Sequence, residues 1–170
     1  PQALIDAVGA FAGGRLDRAG LDAVRETAVQ QTIARLEAVG SPVVSDGEQS
    51  KSSFATYPLE GMKNLAPEGV VIPFADGHTR RLPVLSAGPL RYQVYARTYL
   101  DQARRHAKVP VKQAVIAPSA LSLLYPQAGL QGYSREAFIK DLADEAEKDI
   151  RLCLDGGAHW GGMIETFLQQ

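Results

Sequence analysis

The sequence predicts an α/β fold built on a parallel sheet and interrupted by one antiparallel hairpin. Two observations carry this. Amphipathic helical stretches alternate with short apolar runs that stop abruptly in polar residues or proline, the rhythm of βα units. Where that rhythm breaks, Asp76-Gly77 lies between two β-prone runs, a good hairpin signal.

The elements follow in order. Leu4 to Phe11 reads as a short helix, with Gly13 and Gly14 as its stop. Leu21 to Val39 is a longer amphipathic helix: Leu21, Val24, Ala28 and Leu36 fall near one face, Arg18, Glu26, Arg35 and Glu37 are available for solvent, and Gly40 ends it. Ser41 to Glu48 fits a buried strand that ends in polar residues. Val70–Phe74 and Arg81–Leu85 form the hairpin, read as an insertion in the βα order. A helix is expected from Tyr92 to Lys108, ending before Pro110, and then a buried strand from Val111 to Ala117, broken by Pro118 and Ser119. Ser134 is placed as the N-cap of a helix running to Leu154, with Phe138, Leu142, Ile150 and Leu154 as its buried stripe and Gly156-Gly157 as its stop. Ala158-His159-Trp160 should open a further strand, yet Gly161-Gly162 follows at once. An absent segment between Trp160 and Gly161 is therefore expected, as are missing segments before Pro1 and after Gln170.

Composition narrows the function. The 170 residues suffice for a single domain spanning 1–170, but are short for a complete (β/α)8 barrel of about 250. With 45% hydrophobic and 22% charged residues, the balance is that of a soluble globular domain. Eighteen basic against 19 acidic residues, net −1, give no electrostatic footprint for nucleic acid or an anionic membrane. Cys153 is the single cysteine, so no intrachain disulfide can form and a cytoplasmic location is expected. No apolar run approaches a membrane span, and no basic n-region opens the chain.

The segment with most chemical promise is Ser45-Asp46-Gly47-Glu48. Asp46 and Glu48 follow a buried strand, where a barrel enzyme keeps its active site, and the glycine lets the backbone approach a ligand. The ordinary alternative is a solvated turn. Ile116-Ala117-Pro118-Ser119 ends a second buried strand; its amides and the Ser119 hydroxyl could hold a polar substrate, or Ser119 could cap the helix Ala120–Leu124. His78 and His106 read as solvated, His159 as structural and Cys153 as a small core filler. Tyr92, Tyr95 and Tyr99 fall at helical spacing, a pattern of core rather than of a stacking platform. No His-x-Cys, Cys-x-x-Cys or His-x-x-x-His spacing occurs, so no zinc site is legible.

The run from Arg35 through Gly40 to Ser45-Asp46-Gly47-Glu48, continued by Phe54, resembles the cobalamin-independent methionine synthase family, in which a helix ending in glycine leads to a strand closing in an Asp/His-Gly-Glu motif. Val111 to Ser119 is similar to that family's next barrel strand, and Glu136 to His159 to the following helix and its glycine-rich exit. The resemblance covers roughly Gly14 to Trp160. It implies a partial (β/α)8 barrel with a β-hairpin insertion, and methyl transfer to a thiol such as homocysteine from a donor such as a reduced folate. Glu48, with Asp46, would contact the substrate's amino group. Ala117 to Ser119 and Tyr125 would line the methyl-donor cavity. The resemblance also implies zinc as the thiolate-stabilising cofactor, although the family's ligands do not occur in this sequence.

Three readings stay open. The first is the zinc-dependent methyltransferase, with small-molecule partners and no nucleic acid or membrane. A related enzyme could instead use a coenzyme M type thiol, or an inactive barrel could serve as a binding module. An unrelated (β/α)8 lyase or aldolase would need a lysine or an extra carboxylate cluster at strand ends, and Lys112 is at the wrong end of its strand. Unpaired strand edges in a partial barrel would also favour association into a homo-oligomer.

Overall fold

A computed structural model describes residues 1–159 and 164–165. In chain order the described elements are α1 (Gln2–Ala12), α2 (Arg18–Ala38), β1 (Leu65–Ala66), β2 (Val71–Pro73), β3 (Thr79–Arg81), β4 (Val84–Leu85), α3 (Arg97–Arg104), β5 (Val115–Ile116), α4 (Pro118–Leu121), α5 (Arg135–Asp155) and β6 (Ile164–Glu165). Two 3-10 turns, Tyr57–Leu59 and Ser122–Leu124, complete them. The expected interruption between Trp160 and Gly161, and the expectation beyond Gln170, lie outside the described residues.

The architecture is mixed α/β with short strands. β5 pairs with β6 in parallel, Val115 opposite Ile164 and Ile116 opposite Glu165. β1 pairs with β4, and β2 with β3, both antiparallel. No closed barrel is formed among the described residues. Nor, among them, is any helix long and apolar enough to cross a membrane.

Two compact units divide the chain. Among the described residues the first holds 1–52, 96–114 and 152–159. Here α1 packs on α2 and α2 on α3. Asp17 caps α2, its Oδ1 accepting the Gly20 N–H at 2.8 Å and satisfying one of the orphan amides of the first turn. The face of α2 that is buried carries Leu21, Ala28, Val29 and Ile33, rather than the expected set with Val24 and Leu36. The strand expected over 41–48 contracts to a single parallel bridge, Val44 to Val111. Val44 N–H donates to Pro110 C=O at 3.0 Å and Lys112 N–H to Val44 C=O at 2.8 Å. Pro42 and Pro110, which carry no N–H, limit the ladder on both sides.

Among the described residues the second unit holds 53–95, 115–151 and 164–165. Its hairpin turns where expected: Phe74 N–H reaches His78 C=O, and Gly77 takes φ 87°, the left-handed conformation that glycine tolerates. The second arm of the expected hairpin, 81–85, serves two sheets, since Arg81 pairs with Val71 and Val84–Leu85 pair with Leu65–Ala66. The helix expected from Tyr92 starts only at Arg97, and in the stretch before it the Gln93 N–H donates to Pro58 C=O at 2.8 Å. Ser134 caps α5 as expected, accepting the Ala137 N–H at 3.1 Å. Its buried stripe differs, however. Phe138, Leu142 and Ala146 are joined by two carboxylates, Glu145 and Asp149, while Leu154 is exposed and the neighbouring Cys153 is buried.

Candidate functional site

The Asp46-Gly47-Glu48 turn sits in the first unit, immediately beyond the bridge at Val44. Gly47 and Glu48 both adopt left-handed backbone, φ 62° and 56°. Glycine is required at 47, since a Cβ there would lie 2.7 Å from Thr32 Cγ2 as well as at positive φ. A glutamate at positive φ is uncommon and is held there by its neighbours. Glu48 N–H donates to Asp46 Oδ1 at 3.0 Å, and Lys51 Nζ donates to Glu48 Oε1 at the same distance.

Asp46 and Glu48 are thereby brought together in one turn with opposite environments. Asp46 is 1% exposed, whereas the Glu48 side chain is 35% exposed. Burial pushes the Asp46 carboxyl above its ordinary value, with the Lys51 ammonium and the Glu48 N–H pulling the other way. Its Oδ2 has no hydrogen-bond partner among the described residues, and the same holds for Gln113 Oε1. The two side chains are neighbours, and a hydrogen bond with Gln113 is among the influences that lower the Asp46 carboxyl against its burial. Gln113 is wholly buried and donates through Nε2 to Ala114 C=O at 3.2 Å.

Lys51 was not legible as a site residue. Its side chain is 1% exposed, its Nζ also donates to Ala114 C=O at 2.9 Å, and it stands 5.6 Å from the centre of the Tyr99 ring. The available signal was its spacing of three residues from Glu48. Beside it, Ser50 Oγ donates to Gln102 Oε1 and Gln102 Nε2 to Glu26 Oε2, both at 2.5 Å. Arg105 and His106 close on the same Glu26, so Glu26 and His106, read as solvated from sequence, belong to a network. Burial acts to raise the Glu26 carboxyl, but the hydrogen bonds from Gln102, His106 and Arg105 outweigh it and hold the group below its ordinary value.

Ser119 and Tyr125 belong to the second unit. Ser119 lies in the first turn of α4, exposed, with Ala117 rather than Ser119 at the N-cap; its carbonyl accepts the Ser122 hydroxyl at 2.7 Å. Tyr125 packs on Phe138, ring centres 5.2 Å apart, and its hydroxyl donates to Tyr133 C=O at 2.7 Å. That hydroxyl is engaged in closing the 125–133 loop.

A second polar cluster in this unit has no sequence signature beyond carboxylates on an apolar helix stripe. Tyr57, wholly buried, donates to Asp149 Oδ2 at 2.5 Å and accepts the Ile116 N–H at 3.3 Å. Tyr95 donates to Glu145 Oε2, and Tyr133 donates to Asp141 Oδ2, while Asp141 Oδ1 pairs with Arg91 at 2.8 Å. Burial and the adjacent carboxylates raise the Tyr57 and Tyr92 hydroxyls above the ordinary tyrosine value, and that of Tyr133 is pushed up to about 12, chiefly by burial.

Among the described residues no group of three or more His, Cys, Asp or Glu side chains is placed to hold a metal ion. His78 lies against Asp76 in the hairpin turn, His106 against Glu26, and Cys153 is buried in α5. The zinc implied by the resemblance finds no fitting ligand set among them.

Among the solved structures that share this fold are two methionine synthases. One is a B12-independent methionine synthase from Shewanella sp. W3-18-1 in complex with selenomethionine, with TM-score 0.67 and 18% identity over 85% of this chain and 42% of that one. The other is a putative vitamin-B12 independent methionine synthase from Listeria monocytogenes, with TM-score 0.64 and 20% identity over 93% of this chain and 46% of that one. The chain thus spans less than half the length of either. No family model and no curated protein matches it.

Proposed function

We propose that this chain is part of a methyltransferase that acts on an amino-bearing thiol such as homocysteine. The observation that carries the reading is Glu48, a partly exposed carboxylate on left-handed backbone beyond Val44, with the buried Asp46 behind it. A substrate ammonium would make a charge-assisted hydrogen bond to such a carboxylate. The shared fold with the methionine synthases supports the reading. By the same resemblance Ser119 and Tyr125 are assigned to the methyl-donor cavity, and the chain is read as part of a (β/α)8 barrel and as a single domain.

Charge also discriminates among thiols. Coenzyme M carries a sulfonate and no amine, so Glu48 would repel it. Activation of the thiol is not assigned to any described residue.

The test is calorimetric titration with L-homocysteine, using mercaptoethanesulfonate as the anionic control. Wild-type protein should bind homocysteine and not the sulfonate, and Glu48→Gln should fold yet bind about tenfold or more weakly, the loss of one hydrogen bond to a charged group. Equal affinity in wild type and Glu48→Gln would sink the assignment. Preference for the sulfonate would favour the coenzyme M type enzyme.

A further inference from the structure

Lys51 is an expensive residue to keep. Its side chain is 1% exposed, and an ammonium removed from water costs free energy that only close partners offset. An apolar side chain could fill such a space without that cost. Among the partners of Lys51 are Glu48 Oε1 at 3.0 Å, Ala114 C=O at 2.9 Å on the segment following Val111, and the Tyr99 ring. Ala114 C=O also accepts the Gln113 amide, so the carbonyl that anchors Lys51 is joined to the residue beside Asp46. The segment so tied contains two successive residues at positive φ, the second of them Glu48 itself.

We propose that Lys51 is the positioning residue for Glu48: anchored on Ala114 and Tyr99, its buried ammonium fixes one carboxylate oxygen and the left-handed backbone of Glu48, and thereby sets how that carboxylate meets a ligand's amino group. This rests on the homocysteine reading for the identity of the ligand, not for the arrangement itself. A free carboxylate on a turn samples several rotamers, and each ligand contact must then overcome that freedom. A carboxylate held at one oxygen by a buried cation is organised before the ligand arrives. Two carboxylates, Asp46 and Glu48, lie close together here, and the Lys51 ammonium also acts on Asp46, pulling its carboxyl down against the effect of burial.

The experiment is a mutant cycle read by titration with L-homocysteine, joined to a measurement that needs no ligand. Lys51→Met should weaken homocysteine binding about tenfold, and Lys51→Arg, which keeps a cation, should recover most of it. In a Glu48→Gln background Lys51→Met should cause little further loss, since Lys51 acts through Glu48. Wild-type affinity in Lys51→Met would overturn the proposal, and so would an equal loss in both backgrounds, which marks a general structural role. In the ligand-free protein, amide hydrogen exchange over residues 46–51 should accelerate in Lys51→Met and remain slow in Lys51→Arg, with distant amides unchanged. Unaltered exchange across that turn would overturn the proposal even if Lys51→Met binds poorly. Should wild type fail to bind homocysteine while the exchange responds, the homocysteine reading falls and the positioning role stands.

Discussion

The Tyr57 hydroxyl donates to Asp149 Oδ2 at 2.5 Å, with both side chains buried, and in the same position it accepts the Ile116 N–H. One phenol thus joins α5 to β5. Tyr57→Phe keeps the ring and removes the bond to a buried carboxylate, so stability should fall by about 1.5–3 kcal/mol in urea denaturation. A loss below about 0.5 kcal/mol would mean that the pair is replaceable.

Asp46 gives a pH signature of definite sign. Its carboxyl titrates above its ordinary value in the folded chain, chiefly because of burial. The folded state therefore binds that proton more readily than the unfolded state does. Its contribution to stability is fully present below the unfolded value and is lost as pH rises through the folded one. Asp46→Asn removes the term. The stability of Asp46→Asn relative to wild type should improve as pH rises from the ordinary carboxyl range through the raised folded value. A pH-independent difference would show that burial does not govern this group.

Gly47 is constrained twice, by φ 62° and by Thr32 Cγ2 at 2.7 Å from where a Cβ would stand. Gly47→Ala should cost at least about 1–2 kcal/mol from the left-handed backbone alone, with the contact adding to it. Thr32→Ser removes the methyl and retains a hydroxyl for the bond to Ala28 C=O. In that background the penalty should shrink toward the backbone component. Equal penalties in both backgrounds would remove Thr32 from the argument.

Tyr125 and Ser119 should separate in their effects. Tyr125→Phe loses the hydroxyl that reaches Tyr133 C=O, at a cost of about 1 kcal/mol, and should quicken amide exchange in the 125–133 loop. Ser119→Ala alters an exposed side chain and should leave stability within about 0.5 kcal/mol. If Ser119 serves the methyl donor, only its variant should weaken binding of a reduced folate at unchanged stability.

Helix existence was legible where periodicity and caps coincide: α1, α2 and α5 lie within a few residues of their expected limits, and Ser134 caps as read. Asp76-Gly77 marked its turn for the same local reason. Strand extent was not legible, because apolar runs such as Val111–Ala117 report burial and not which partner they pair with. Of the candidate site, sequence placed Asp46 and Glu48 together at the end of an apolar run. It could not place Lys51 or Gln113, whose roles depend on contacts with Ala114 and Asp46. Glu145 and Asp149 escaped for a related reason: a carboxylate on a helix reads as solvated until the tyrosine that receives it is known.

The ion pair of Glu48 with Lys51 constrains how this sequence can change. Glycine would relieve the backbone at 48, and an apolar residue would relieve the burial at 51, so the double replacement should be the more stable protein. Each single step toward it is a loss. Removing Glu48 first takes from the buried ammonium its carboxylate partner, and removing Lys51 first takes from Glu48 the cation that fixes it. The pair therefore lies in a local optimum that substitutions taken one at a time do not leave. Random mutagenesis selected only for thermal resistance should retain both residues, while a library that varies 48 and 51 together should discard them.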